Sequence, residues 1–391
     1  MIVELRSVMR FCQGCLSLLL FFVSAACCVA QTAQIERHVV LFGKEGEFAG
    51  WPANHGLWSW GDEILVGFSI GSHQDLGSRH NINREQPEYH VLARSRDGGV
   101  NWEIEKPNDR GMLINAGGMR HGITDPSHQE DEPQKITESI RFNHPDFCMT
   151  MRFQNVDGGS SRLYYSYDRG RHWRGPFKVP TFNQRGVMAR TDYLVNSKTD
   201  CQVFLTASKA NDEEGRVFAG STKDGGLTWK FDAYVGPEPH GFSIMPTTVR
   251  ISDHHLVMAT RRREGPGETK RRWIDCWQSL DNGMSWTALK DPVDDVGEGN
   301  PPSLIRMRDG RLCLTYGDRK SPFRMYAKLS EDAGQSWSDP LVLRDKIAGR
   351  DMGYPRTVQR ADGKLVTIYY LYTPENRYRR VEATIWSPSS S

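Results

Sequence analysis

One octapeptide pattern, Ser/Thr-x-Asp-x-Gly-x-x-Trp, occurs five times in this chain and limits its fold more than any other feature. The copies are SRDGGVNW from Ser95 to Trp102, SYDRGRHW from Ser166 to Trp173, TKDGGLTW from Thr222 to Trp229, SLDNGMSW from Ser279 to Trp286 and SEDAGQSW from Ser330 to Trp337. Their aspartates, Asp97, Asp168, Asp224, Asp281 and Asp332, are separated by 71, 56, 57 and 51 residues. An Asp followed two residues later by Gly is hairpin-turn chemistry: the carboxylate accepts bonds from turn amides and the Gly supplies a positive φ. The Trp starts the outgoing strand and covers the turn with a large apolar face. Five separate turns cannot converge on one site, so these aspartates are read as structural, neither catalytic nor metal-binding.

The same unit recurs around each turn: a pair of strands, a third strand, the Asp turn and a fourth strand. MPTTVRIS, HHLVMATR and RRWIDCWQS precede SLDNGMSW, and PPSLIRMRDGRLCLTYGD and FRMYAKLS precede SEDAGQSW. A sixth unit, YPRTVQRADGKLVTIYYLY with YRRVEATIW, lacks the turn and ends the chain. Its missing outer strand is predicted from Ile35 to Phe42 (IERHVVLF), which would close the ring and leave no open edge. The chain is therefore read as all-β, a six-bladed β-propeller spanning residues 31–391. The 11 Trp and 37 Gly suit short strands joined by tight turns.

The first thirty residues read as a signal peptide. Arg6 and Arg10 precede the short apolar run Leu16 to Val23, and small residues lead to Ala30, after which cleavage is expected. The run falls short of the ~20 apolar residues that span a bilayer. Export to the medium or periplasm follows, with lipid attachment through Cys27 as the alternative and no membrane insertion after cleavage. Cys148, Cys201, Cys276 and Cys313 each lie in an apolar strand-like run and read as buried packing, without metal-ligand spacing. Fifty Lys and Arg against 48 Asp and Glu give a net charge of +2, which offers no basic face for nucleic acid. No phosphate loop, Cys-x-x-Cys, His-Glu-x-x-His or Gly-x-Ser-x-Gly is present, and no cofactor or metal is expected. The acidic stretch Asp125 to Glu132 is read as a solvated loop in preference to a calcium site. The segment RRREGPGETKRR, from Arg261 to Arg272, is read as an exposed hairpin whose six basic residues meet a polyanionic substrate or serve no specific end.

The repeated turn resembles the Asp box, and the mature chain resembles the sialidase superfamily of six-bladed propellers. That resemblance implies an exo-α-sialidase-like glycoside hydrolase releasing a terminal acidic sugar. In such enzymes three Arg clamp the substrate carboxylate, a Tyr paired with a Glu is the nucleophile and an Asp is the acid/base. Guanidinium forks match a carboxylate bidentately. A neutral Tyr avoids the repulsion that a carboxylate nucleophile would meet from an anionic substrate. With a free pKa near ~10 it needs a base or cations beside it. LVMATRRRE resembles the segment ending in the second clamp, which implies Arg261; PFRMYAKLSEDAG resembles that of the third, Arg324. DMGYPRTVQRADGKLVTIYY resembles the segment opening on the nucleophile, Tyr354, and GSHQDLGSRHN the acid/base loop, Asp75. Residue by residue the plainer readings are a solvated basic run for Arg261, a pairing with Glu331 or Asp332 for Arg324, and a core aromatic for Tyr354.

Two positions depart from the family pattern. The stretch Pro52 to Trp58, where the first clamp Arg belongs, contains none, and Met245 stands where a Glu would pair with the nucleophile. Other blade-leading segments offer Arg190 and Asp192, Glu298 and Asn300, and Asp351 and Arg356 beside Tyr354, with His55 as an occupant of the vacant Arg position. Three functions stay open: a monomeric glycoside hydrolase acting on an acidic glycan, a polysaccharide lyase that neutralises a uronate with Arg and moves a proton with Tyr or His, and a sugar-binding propeller without catalysis.

Overall fold

The computed structural model describes residues 32–77, 79–106, 132–153 and 159–389. The signal-peptide reading and the acidic stretch up to Asp131 lie outside them. Among these described residues, twenty-five strands form six antiparallel sheets. Blade one runs outward from Glu47–Gly50 and Gly56–Trp60, both paired with Glu63–Ser72, to Glu88–Ser95 and Glu103–Glu105. Blade three has the same split inner strand, Val187–Met188 and Tyr193–Val195, then Cys201–Ser208, Glu214–Thr222 and Lys230–Tyr234. Blade four is Phe242–Arg250, Leu256–Glu264, Arg271–Ser279 and Thr287–Ala288; blade five is Ser303–Arg306, Leu312–Asp318, Arg324–Ser330 and Leu341–Arg344. Blade two departs from the expected four strands. Among the described residues it has three, Cys148–Phe153, Ser161–Ser166 and Arg174–Lys178, supplemented by a single parallel bridge from Gln134 to Phe177.

Blade six closes the ring as expected. Its strands Gly353–Gln359, Leu365–Thr373 and Asn376–Pro388 are completed by Ala33–Phe42, whose register runs from Ala33 opposite Pro388 to Phe42 opposite Val381. The second strand of each blade is packed on both faces by neighbouring sheets. Cys201–Ser208 is buried at every position, which is why such strands read as continuous apolar runs. Each Val, Leu or Phe there contributes roughly 1.5–3 kcal/mol. The four cysteines are buried and unpaired, and burial pushes the thiols of Cys276 and Cys313 up to about 12.

The Asp turns join third to outermost strands and share one bonding scheme. Asp97 Oδ1 accepts the amides of Val100 and Asn101 at 3.2 and 2.9 Å, while Ser95 Oγ accepts the Gly99 amide at 2.8 Å. Asp168, Asp224, Asp281 and Asp332 each accept the amide four residues on, at 2.8–2.9 Å. The Trp102, Trp173 and Trp286 indoles donate back to the turn glycine carbonyl at 2.9, 3.0 and 3.2 Å. Every carboxylate is thus committed to its own turn, as the sequence predicts.

Candidate active site

Neighbouring blades are tied around the centre by polar bonds into a closed circuit. Thr150 of blade two donates to His55 O of blade one at 2.8 Å and shares a bond with Thr191 of blade three at 2.9 Å. Thr248 of blade four donates to Asp192 of blade three at 2.8 Å, and the Leu304 amide of blade five donates to Thr247 at 3.0 Å. The Thr357 amide of blade six donates to Ser303 at 3.1 Å, and Arg356 returns to blade one through Ala53 O at 2.9 Å. Arg356 also reaches Thr191 O at 2.6 Å, so its guanidinium spans from blade six to blades one and three.

Tyr354 stands two residues before Arg356, where the strand begins with a register shift. Gly353 and Tyr354 both have left-handed backbones, φ 100° and 53°, a conformation that favours glycine and is strained for tyrosine. Asn300, fully buried, holds this turn: its Oδ1 accepts the Tyr354 amide at 2.9 Å and its Nδ2 donates to Met352 O at 3.0 Å. The buried Arg319 adds a second brace, donating to Met352 O at 2.8 Å and Gly299 O at 2.9 Å, with its guanidinium 5.5 Å from the Tyr354 ring centre. Arg261 Nη1 donates to the Tyr354 hydroxyl at 3.2 Å. Burial alone would raise the phenol pKa, but the charges of Arg261, Arg319 and Arg190 outweigh it and lower the value below that of free tyrosine.

Beside this phenol lies a histidine–carboxylate pair. Asp351 accepts from His80 Nδ1 at 2.7 Å, Tyr370 OH at 2.7 Å, Arg379 Nε at 2.9 Å and the Asn81 amide at 3.0 Å. Those donors overcome burial and hold Asp351 ionised, well below the usual carboxylate range. The His80 ring meets Trp51 and Tyr354 edge-on, with centroids 5.2 and 6.2 Å away. Burial lowers the His80 pKa despite the opposing pull of Asp351, so the ring is neutral near pH 7. With Nδ1–H directed at Asp351, Nε2 is left as the lone-pair nitrogen.

The geometry gathers some of the expected residues and relocates others. Arg261 and Asn300 join Tyr354, while Arg190, clamped by both carboxylate oxygens of Glu214, acts on it only through its charge. Arg324 does not join: its side chain lies out on blade five, donating to Tyr326 at 3.4 Å, and Arg319, just past the preceding strand, takes the central place. Asp75 is exposed and accepts the Gly77 amide at 3.0 Å in a local turn; His80, from the same loop, reaches Tyr354. His55 is buried, bonded through Nε2 to Ser69 at 3.0 Å and tilted at 48° against His90, and burial holds it neutral, so it replaces no cation. Glu298 pairs with Arg272 at 2.9 Å and Arg350 at 3.5 Å, and Met245 is buried in the apolar core. Asp192 lies on the inner circuit, where burial raises its pKa to about 7 against the attraction of Arg356. Sequence reasoning missed Arg319 and His80.

Residues 124–367 match the BNR repeat-like domain family. The chain belongs to that family. Among solved structures, this BNR repeat-like protein is similar to a protein of unknown function from Dyadobacter fermentans, at 19% identity and TM-score 0.68 over 91% of this chain and 99% of that one. It is similar to an α-L-arabinofuranosidase from Fusarium graminearum at 11% identity and TM-score 0.55, over 90% and 98% of the two chains. The NanB sialidase from Streptococcus pneumoniae is similar at 12% identity and TM-score 0.54, over 89% of this chain and 70% of that one. A search of curated proteins finds no match. These likenesses establish the sialidase-type propeller fold; the chemistry rests on the residues.

Proposed function

We propose that this BNR repeat-like protein is an exported glycoside hydrolase that releases a terminal acidic sugar from a glycan. The observation that carries this reading is the Tyr354 hydroxyl bonded to Arg261, with Arg319 and Arg190 lowering its pKa. The Arg261 guanidinium suits a substrate carboxylate, which Arg binds as a planar fork, while Arg319 and Arg190 add positive charge around it. The same cations favour the phenolate, the nucleophilic form of tyrosine. In this reading Tyr354 oxygen bonds to the anomeric carbon as the glycosidic C–O bond breaks, and water then displaces the enzyme. His80 Nε2, oriented by Asp351 through Nδ1, takes the proton that the Tyr354 hydroxyl gives up and passes it to the leaving oxygen; in the second step it takes a proton from the attacking water and returns it to the Tyr354 oxygen as that oxygen leaves. Arabinofuranosidase and sialidase chemistry on related propellers supports a glycan substrate for this fold.

Tyr354→Phe is expected to lower turnover on acidic glycosides at least a thousandfold, with an unchanged circular dichroism spectrum. Arg261→Gln removes a cation that favours the phenolate, so the alkaline-rising limb of kcat/KM should move to higher pH. Retained activity in Tyr354→Phe would refute the assignment.

One observation favours a second reading. Among the described residues no carboxylate bonds to Tyr354, and a neutral imidazole oriented by Asp351 stands beside it. That set suits β-elimination on a uronate, with Arg neutralising the carboxylate, His80 taking the proton at the α-carbon and Tyr354 protonating the leaving oxygen. Products absorbing near the ultraviolet edge, from a new carbon–carbon double bond, distinguish the lyase; reducing sugar without that absorbance marks the hydrolase.

A further inference from the structure

Past Arg261 the second strand of blade four continues through Arg262, Arg263 and Glu264, and the chain turns back at Arg271. Its partners are Ile274 opposite Arg261, Trp273 opposite Arg262, Arg272 opposite Arg263 and Arg271 opposite Glu264. Alternate residues of a strand share a face, and directly opposed residues share it too. Arg261, Arg263 and Arg272 therefore occupy one face. On the other, Arg262 is neutralised by Glu264 at 2.7 Å and Asp275 at 3.7 Å.

The first face is not neutralised in the same way. Arg272 pairs with Glu298 at 2.9 Å, a carboxylate it shares with Arg350. The Arg263 guanidinium lies 4.3 Å from the Phe242 ring centre, and that of Arg261 lies 5.5 Å from the same ring. Among the described residues no carboxylate comes within ion-pair distance of Arg263; Glu213 and Glu264 act on it only from farther off, and Arg272 opposes its charge. Like charges directly opposite across two strands cost stability. A half-buried arginine set against another arginine, one step along the strand face from the cation that touches Tyr354, has the makings of an anion site.

We infer that Arg263, with Arg272, forms an outer subsite for a second anionic group of the substrate, a carboxylate or sulfate on the sugar beyond the one held at Arg261 and Arg319. The inference rests on the reading of the Tyr354 centre as an acidic-sugar site. It makes the substrate an acidic oligosaccharide in place of an isolated charged cap on a neutral glycan.

Calorimetric titration of the full mature chain tests it with single-charge sugars, galacturonate and N-acetylneuraminate, and double-charge probes, digalacturonate, disialic acid and chondroitin 6-sulfate disaccharide. The wild type is expected to bind at least one double-charge probe about tenfold more tightly than its single-charge counterpart. Arg263→Gln should erase that gain while leaving the single-charge affinity unchanged, and Arg263→Lys should restore part of it. Whether the gain appears with digalacturonate and disialic acid or with the sulfated disaccharide identifies the second group. A wild type that gains nothing from the second charge, or an Arg263→Gln variant that keeps the gain, overturns the outer subsite and leaves the centre standing. If the wild type binds none of the sugars, or Arg261→Gln leaves single-charge binding intact, the central reading fails and the subsite with it.

Discussion

Tyr354 takes its character from side chains delivered by several blades: Arg190 of blade three, Arg261 of blade four, Asn300 and Arg319 of blade five, and His80 of blade one. Asp192 shows the opposite balance. It and Arg356 lie beyond ion-pair distance, and burial shifts both toward neutrality, raising Asp192 to about 7 and lowering Arg356. Between pH 4 and 7 the folded state then holds a proton that the unfolded state has released, so stability falls as pH rises through that window. Asp192→Asn should lack this slope. Its unfolding free energy relative to wild type, from urea titrations at each pH, is expected to climb from pH 4 to pH 7 and level off above, a difference on the order of a few kcal/mol. The central placement of Tyr354 was legible in its Gly-Tyr-Pro setting at a strand start. The identities of its partners were less so, because a loop or strand end can be located by pattern while the one side chain that turns inward cannot. Asp75 and Arg324 were sought in the right blades, and His80 and Arg319, five residues away in each case, are the ones that arrive.

Aligning the elements supplies the signal that single motifs lacked. Arg152 and Arg261 fall near the ends of the second strands of blades two and four, and Lys209 and Arg319 immediately follow those of blades three and five. A cation at the end of an apolar run, repeated unit by unit, is visible only once the blades are set in register. The opening of the blade-six strand is the other decisive element. A Cβ on Gly353 would come within 2.0 Å of Asn300 Nδ2, and its φ of 100° already excludes ordinary side chains. Gly353→Ala should therefore displace Asn300, release the Tyr354 turn and lower kcat by about a hundredfold. The loss in stability should be about 1–3 kcal/mol, measured by urea unfolding. A variant with full activity would show that the turn does not position the phenol.

At the scale of the molecule, the five Asp turns together with the turnless sixth strand unit were enough to count the blades and to predict that the chain's start completes its last sheet. Blade two is the exception: its 71-residue interval holds two segments outside the described residues, and among the described residues it has three strands. Closure can be tested directly. Deleting residues 32–42 removes the buried Leu41 and a full strand ladder against Asn376–Pro388, a loss of roughly 5–10 kcal/mol. Because that rivals the whole stability of a domain, the truncated chain should show no cooperative thermal transition, and a melting curve like wild type would refute the role of closure.

The Arg356 guanidinium, bonded to Ala53 and Thr191 across the axis, makes the centre a cul-de-sac. A polymer cannot be reeled through such a centre, so traffic must enter and leave by one door. Under the glycosidase function proposed for Tyr354, each visit would engage one chain end, and the freed unit would have to back out before the next end could dock. A glycan would then be trimmed from the tip, with small products from the first turnover while the remaining chain shortens gradually.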